Sequence, residues 1–216
     1  MPGLLVDLEA VRREARTFFH NARGSHDWEH SERVFRLAWR IAMREGADPN
    51  VVLPAALLHD IGRDTEFHAE GRVCHAAVGA ALARDVLKRI GLEPVLSERI
   101  CHCIASHRYR GEVRPQTIEA EVLFDADKLD SIGAVGIGRA FLFAGEVGAR
   151  LHDPAVDPEK SQPYTPDDTA YREYLVKLRH IKDRMFTETG REIAEDRHRY
   201  MTEFFDRLNK EVQGIL

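Results

Sequence analysis

Residues 53–64 read LPAALLHDIGRD. An apolar run stops on His59 and Asp60, and Gly62 follows. The run predicts an almost wholly apolar helix over about residues 50–59, ending at the edge of the core. Gly62 then suits a break after the pair. Pro54 constrains the picture, because an interior proline removes a backbone donor. Either it sits in the first turn or the helix is kinked. The His-Asp pair has two readings: it caps an exposed end, or both side chains bind one metal ion.

The flanking segments almost all repeat at 3.6 residues. Residues 4–20 read as an amphipathic opening helix. A second helix runs from about Trp28 to Arg44, with Val34, Leu37, Ala38, Ile41 and Ala42 on one stripe. Gly46 suits its stop, and Asp48-Pro49 suits the next start. Further helices are expected over 73–90, over 98–108 with Ser97 as N-cap, and over 117–131. The glycine-rich SIGAVGIGRAF, residues 131–141, reads as a site of close helix packing. Residues 151–169 carry four prolines and many acids, and read as a long surface loop near the substrate, with the length of a lid. From Ala170 the chain is helical again. No segment reads as a strand. The expectation is all-α: one domain over 1–216, a helical bundle with its core at about 20–140 and C-terminal helices over 170–213.

Composition narrows the function. The chain has 216 residues, 44% hydrophobic and 31% charged, as in an ordinary globular protein. A net charge of −5 argues against non-specific nucleic-acid binding, but not against a small phosphorylated substrate held by a local metal. No apolar run reaches the ~20 residues of a membrane span. The N-terminus lacks the pattern of a signal peptide. Three cysteines cannot all pair within one chain, so a reducing cytoplasm is expected. Cys101 and Cys103 read as small buried hydrophobes.

The 11 histidines are the informative residues. His30 continues the stripe of Val34, Leu37 and Ile41. His75 shares the face of Gly79, Leu82 and Val86. His107 follows Ile100 and Ile104 on a buried stripe, whereas His102 is rotated outward or sideways. A lone inward histidine is usually a satisfied core residue. Four, from four helices, beside an inward aspartate are best satisfied together by one or two metal ions. FDADKLD, residues 124–130, adds Asp125, Asp127 and Asp130. Helical phase does not choose among them, and a solvated acidic helix end is the plain alternative.

These segments resemble the HD-domain superfamily of metal-dependent phosphohydrolases. HDWEHSERVFRLA (26–38) is similar to its first-histidine helix, AALLHDIGR (55–63) to its central motif, and DADKLDSIGAVGIGR (125–139) to the motif of its last aspartate. The resemblance implies a metal set of His30, His59, Asp60 and Asp127, favouring Asp127 over Asp125. His75 and His107 fall where dinuclear members carry two more histidines; they serve a second metal, bind substrate phosphate, or act as supporting donors around a single metal. The C-terminal KLRHIKDRMFTETGREIAEDRHRYMTEFF resembles the tail of a bacterial subgroup described as nucleotide pyrophosphohydrolases.

A mixed imidazole and carboxylate set without thiolate suits Mn²⁺ first, then Fe²⁺, Co²⁺, Ni²⁺ or Zn²⁺, and Mg²⁺ less. Asp64 can orient a water, Arg63 can grip phosphate in a forked contact, Lys128 can meet a second phosphate, and His26 can donate to a leaving phosphate. For each, a surface ion pair is the plain alternative. Trp28 and Tyr109 can stack on a base or simply pack. The expected partner is a small phosphorylated substrate, a nucleotide first; a homodimer is left open, and neither membrane nor nucleic acid is expected. The rival functions are a dinuclear-iron HD-domain oxygenase and a non-catalytic HD signalling module.

Overall fold

A computed structural model describes residues 4–19, 27–69, 72–108, 113–158 and 160–216. In chain order the helices are α1 (Leu8–Arg16), α2 (Trp28–Glu45), α3 (Pro49–Leu58), α4 (Arg63–His68), α5 (His75–Arg89), α6 (Pro94–Ser106), α7 (Ile118–Leu129), α8 (Gly133–Glu146), α9 (Ala170–Val176) and α10 (Glu188–Val212), with a 3₁₀ segment at Leu178–Arg184. Among the described residues there is no strand. The fold is all-α, as the periodicity predicts. No described helix is long and apolar enough to cross a membrane. Contacts divide the chain into two compact units: Met1–Asp127 with Phe186–Gly190, and Lys128–Met185 with Arg191–Leu216.

The first unit is organised around α3. Every residue from Val51 to Leu58 is buried. A helix that is apolar on all sides needs neighbours on all sides, and α1, α2 and α6 pack against it. Asp48 caps its start, accepting from Asn50 N–H at 2.9 Å, and Pro49 opens the first turn. Pro54 lies past that turn, inside a helix assigned continuously from Pro49 to Leu58. The Val34, Ala38, Ile41 and Ala42 stripe of α2 is fully buried, and Gly46 ends that helix at φ 71°.

Several boundaries differ from the sequence reading. Helix α1 is shorter than 4–20, because Asp7 caps it through Glu9 and Ala10 N–H. Helix α6 starts at Pro94, four residues before the expected start. Proline's fixed φ suits N1, and Glu93 supplies the cap by accepting from Leu96 N–H at 3.0 Å. Ser97 is therefore not the N-cap; its hydroxyl donates to Glu93 O at 3.0 Å. Gly62 is needed for space, not for a left-handed turn: its φ is −86°, and a Cβ there would stand 2.3 Å from His75 O and 2.7 Å from Gly79 N. Cys101 and Cys103 are free and buried, and burial pushes their thiols up to about 11 and about 12.

In the second unit, the glycines of α8 divide by role. Gly133 has φ 74°, and a Cβ on Gly136 would meet Ser131 O at 2.2 Å and Met201 at 3.2 Å. Close packing holds there, but Gly138 faces open space. The 151–169 loop has no helix among its described residues and is not wholly at the surface. Asp168 and Thr169 are buried. Arg172 of α9 reaches back to Asp168 Oδ1 at 2.8 Å and to Ser161 O at 3.0 Å. Asp168 Oδ2 also accepts from Tyr164 N–H at 2.8 Å. The C-terminal stretch is interrupted, because Lys177, at φ −140°, ends α9 before the 3₁₀ segment.

The glycine geometry predicts opposite signs for two similar substitutions. Gly62→Ala should lower stability by about 2 kcal/mol, because backbone on two sides must move. Gly138→Ala should raise it by roughly 0.5–1 kcal/mol, by removing helix-interior glycine entropy. Denaturant unfolding of the two variants checks both; equal effects would refute the packing assignment of Gly62.

Candidate metal centre

Helix ends bring the site together. His59 is the C-cap of α3, and Asp60 follows it. His107 is the C-cap of α6. His75 is the first residue of α5, and His30 lies in the first turn of α2, where Asp27 accepts its N–H at 3.0 Å. Asp127 lies on α7. All six residues are at most 5% exposed, and all belong to the first unit.

Two groups of ligand atoms form around one carboxylate. In the first, His30 Nε2 is 3.2 Å from His59 Nε2, 3.5 Å from Asp60 Oδ2 and 3.3 Å from Asp127 Oδ1. His59 Nε2 is 3.6 Å from Asp60 Oδ2 and 3.9 Å from Asp127 Oδ1. In the second, His75 Nε2 is 3.3 Å from His107 Nε2, and these nitrogens lie 3.8 and 3.5 Å from Asp60 Oδ1. Asp60 thus turns one oxygen to each group. Ligand atoms bound at ~2.1 Å to one ion stand ~3.0 Å apart at right angles and ~3.4 Å apart in a tetrahedron, so these separations suit metal ligands.

Hydrogen bonds on the far side of the rings set the donor atoms. His59 Nδ1 meets Ala56 O at 2.8 Å, His107 Nδ1 meets Ile104 O at 2.6 Å, and His75 Nδ1 meets Glu66 Oε2 at 2.9 Å. Each partner only accepts, so the proton sits on Nδ1 and Nε2 carries the lone pair. His75 and His107 therefore aim two lone pairs at each other. With no proton available between them, a cation is what that geometry accommodates. Burial pulls His59 down to about 4, against the opposing pull of Asp60 and Asp127. Burial and then the Arg63 charge pull His75 down to about 4. Both rings are thereby kept neutral, the form that binds metal.

The three aspartates of FDADKLD separate. Asp125 is buried and accepts from Phe186 N–H at 2.9 Å, Thr187 N–H at 2.8 Å and the Thr187 hydroxyl at 2.7 Å. It anchors the start of α10. Asp127 faces the histidines. Asp130, in the second unit, pairs with Arg139 at 2.9 Å. The acidic stretch is not a solvated helix end, since all three are buried.

The other candidates are scattered. Arg63 Nε bonds Asp60 Oδ1 at 2.9 Å, and its Nη1 is 3.3 Å from Glu66 Oε2. Asp64 is half exposed on α4 and pairs with His68 at 3.4 Å. Lys128 follows Asp127 on α7 and is buried. Trp28 packs edge-on against Phe19 and beneath Arg16. His102 accepts from Gln116 N–H at 3.3 Å, in keeping with its sideways placement. His26 and Tyr109 lie outside the described residues. Sequence reasoning missed Glu66 and Arg108, which form an ion pair at 3.3 Å beside His75. No periodic signal marks Glu66, since α4 has six residues and none of them is buried.

Comparison with known proteins places this arrangement. The HD domain model matches residues 27–132, which span all six clustered residues. YpgQ of Bacillus subtilis is 36% identical over 215 residues, 98% of this chain and 96% of its own length. The chain belongs to the HD-domain family. The crystal structure of YpgQ in complex with ADP superposes on this HD domain with a TM-score of 0.75 at 33% identity, over 97% of this chain and all of YpgQ. An HD-superfamily hydrolase from Bacillus thuringiensis superposes with a TM-score of 0.74 at 29% identity, over 95% and 96% of the two chains. Ribonuclease Y of Chloroflexus aurantiacus is 36% identical over 127 residues, 59% of this chain but 22% of its own length. The HD domain thus carries a His/Asp cluster able to hold a divalent metal, on the framework of the family's hydrolases.

Two outcomes follow for this cluster. Asp125→Ala should cost about 3 kcal/mol in unfolding experiments, by stripping buried donors of a charged acceptor, yet leave metal uptake intact. Asp127→Ala should do the reverse, losing metal from a folded protein. In the metal-free protein, the His59 value lies below the ordinary 6.5, so the unfolded chain takes up the proton first. Its contribution to stability is full above about 6.5 and is lost as the pH falls toward 4. Thermal melts across that window should show a falling Tm, and a flat profile would count against a neutral buried His59.

Proposed function

We propose that this HD domain is a metal-dependent phosphohydrolase that acts on nucleotides, with His30, His59, Asp60 and Asp127 around one cation and His75, His107 and Asp60 around a second. The observation that carries the reading is Asp60, whose two oxygens face two pairs of imidazole Nε2 atoms. A bound divalent ion, Mn²⁺ first among those the donor set suits, would supply an acidified water and neutralise charge on phosphoryl oxygens. The chain's own residues do the rest. Neutral imidazoles and buried carboxylates arrive prepositioned, so little reorganisation is needed on binding. Arg63 offers a fixed guanidinium beside Asp60, suited to a phosphate oxygen. That local charge matters in a chain of net charge −5. Asp64 as water-orienting group, Lys128 at a second phosphate and His26 as donor to the leaving phosphate belong to the same proposal.

The nucleotide preference draws on the ADP complex of YpgQ. Nucleoside triphosphate cleavage to monophosphate and pyrophosphate is the specific reaction we propose. The three cysteines are all free, which favours a reducing cytoplasm. The same six ligands also fit a dinuclear-iron oxygenase, and Asp60 facing both groups is what keeps that second reading in view.

One experiment separates the two. Protein purified without chelator is analysed for metal, then incubated with a nucleotide panel, Mn²⁺ and ¹⁸O-water. Mn²⁺-dependent product carrying one solvent oxygen is expected. Two equivalents of iron with oxygen uptake and no hydrolysis would replace the hydrolase reading with the oxygenase.

A further inference from the structure

The chain satisfies its ligand histidines in two different ways. His59 and His107 close the C-termini of α3 and α6, where last-turn carbonyls can accept from a side chain. Each ring takes the carbonyl three residues back, Ala56 O or Ile104 O. His75 cannot do this. It opens α5, and a helix N-terminus presents N–H groups rather than carbonyls. Its Nδ1–H instead meets a side chain from α4, Glu66 Oε2 at 2.9 Å. Glu66 is itself held from two sides. Arg63 Nη1 is 3.3 Å from Oε2, and Arg108 Nη2 is 3.3 Å from Oε1. The Glu66 side chain is only 15% exposed.

We infer that Glu66 is the positioning residue of the second metal subsite: its carboxylate keeps the proton of His75 on Nδ1 and turns Nε2 toward His107 and Asp60. The inference rests on the two-cation reading above. A carboxylate can only accept here, so it selects one tautomer. Its negative charge also makes the imidazole a more basic ligand than a backbone carbonyl does. Arg63 and Arg108 fix the carboxylate, and Arg63 links it to Asp60, the ligand shared by both groups. The first group does not need Glu66 in this way, since His59 draws on Ala56 O.

The test is calorimetric titration of metal-free protein with Mn²⁺, which reads stoichiometry and affinity without turnover. Wild type should take two equivalents. Glu66→Ala should keep the first at unchanged affinity and weaken the second ten- to hundredfold. Glu66→Gln, which keeps an oxygen acceptor but not the charge, should fall between, and it carries the test if the alanine variant does not fold. Two equivalents at wild-type affinity in both variants would overturn the role of Glu66 and leave the two-cation reading standing. A single equivalent in wild type would overturn that reading itself, and this inference with it.

Discussion

Imidazole Nε2 atoms that face each other across 3.2 and 3.3 Å, buried and flanked by carboxylates, are the constraint around which this protein is arranged. Buried acceptors with no donor between them cost free energy, and proteins rarely tolerate several together. A divalent cation in each group would remove the conflict by accepting the lone pairs that face it. The fold brings six side chains together as two adjoining groups that share Asp60. Helix α3 does much of this. Its apolar surface has no preferred outward side, so burial carries its C-terminal end into the interior, and His59 and Asp60 with it.

Helix termini then do the fine positioning. At the ends of α3 and α6, last-turn carbonyls orient His59 and His107 without any further side chain. At the start of α5 the backbone polarity is reversed, and the carboxylate of Glu66 takes over that task. Gly62 belongs to the same design. Its missing side chain lets the segment after Asp60 lie against the backbone of α5 at His75 and Gly79. The approach of α5 to the His-Asp pair thus depends on a residue with no side chain at all.

Membership in the HD-domain family agrees with a His/Asp cluster able to hold a metal, and the likeness to YpgQ extends over almost the whole chain. The charge distribution supports the proposed phosphorylated substrate. The chain is acidic overall, yet Arg63 and Arg108 stand beside the cluster, each on a carboxylate partner. A guanidinium already held in place loses little freedom when it meets a phosphate.

Much of this was legible in the residues themselves. Helical phase alone turned His30, His75 and His107 inward, and the apolar run before His59 placed the His-Asp pair at the core, because a 3.6-residue period leaves few ways to bury a stripe. The all-α class followed from the same periodicity. Phase could not choose among Asp125, Asp127 and Asp130, since helix α7 is buried on several sides. Only the chain returning at Phe186 and Thr187 assigned Asp125 to structure, and only the Arg139 pairing accounted for Asp130. Glu66 was invisible for a related reason. Its partner is nine residues away across a break in helical periodicity, and no local rule relates their directions. The sequence by itself determined which residues could bind a metal and that helices would present them. The tertiary structure decided which carboxylates do what, because those roles are set by contacts between segments that share no common phase.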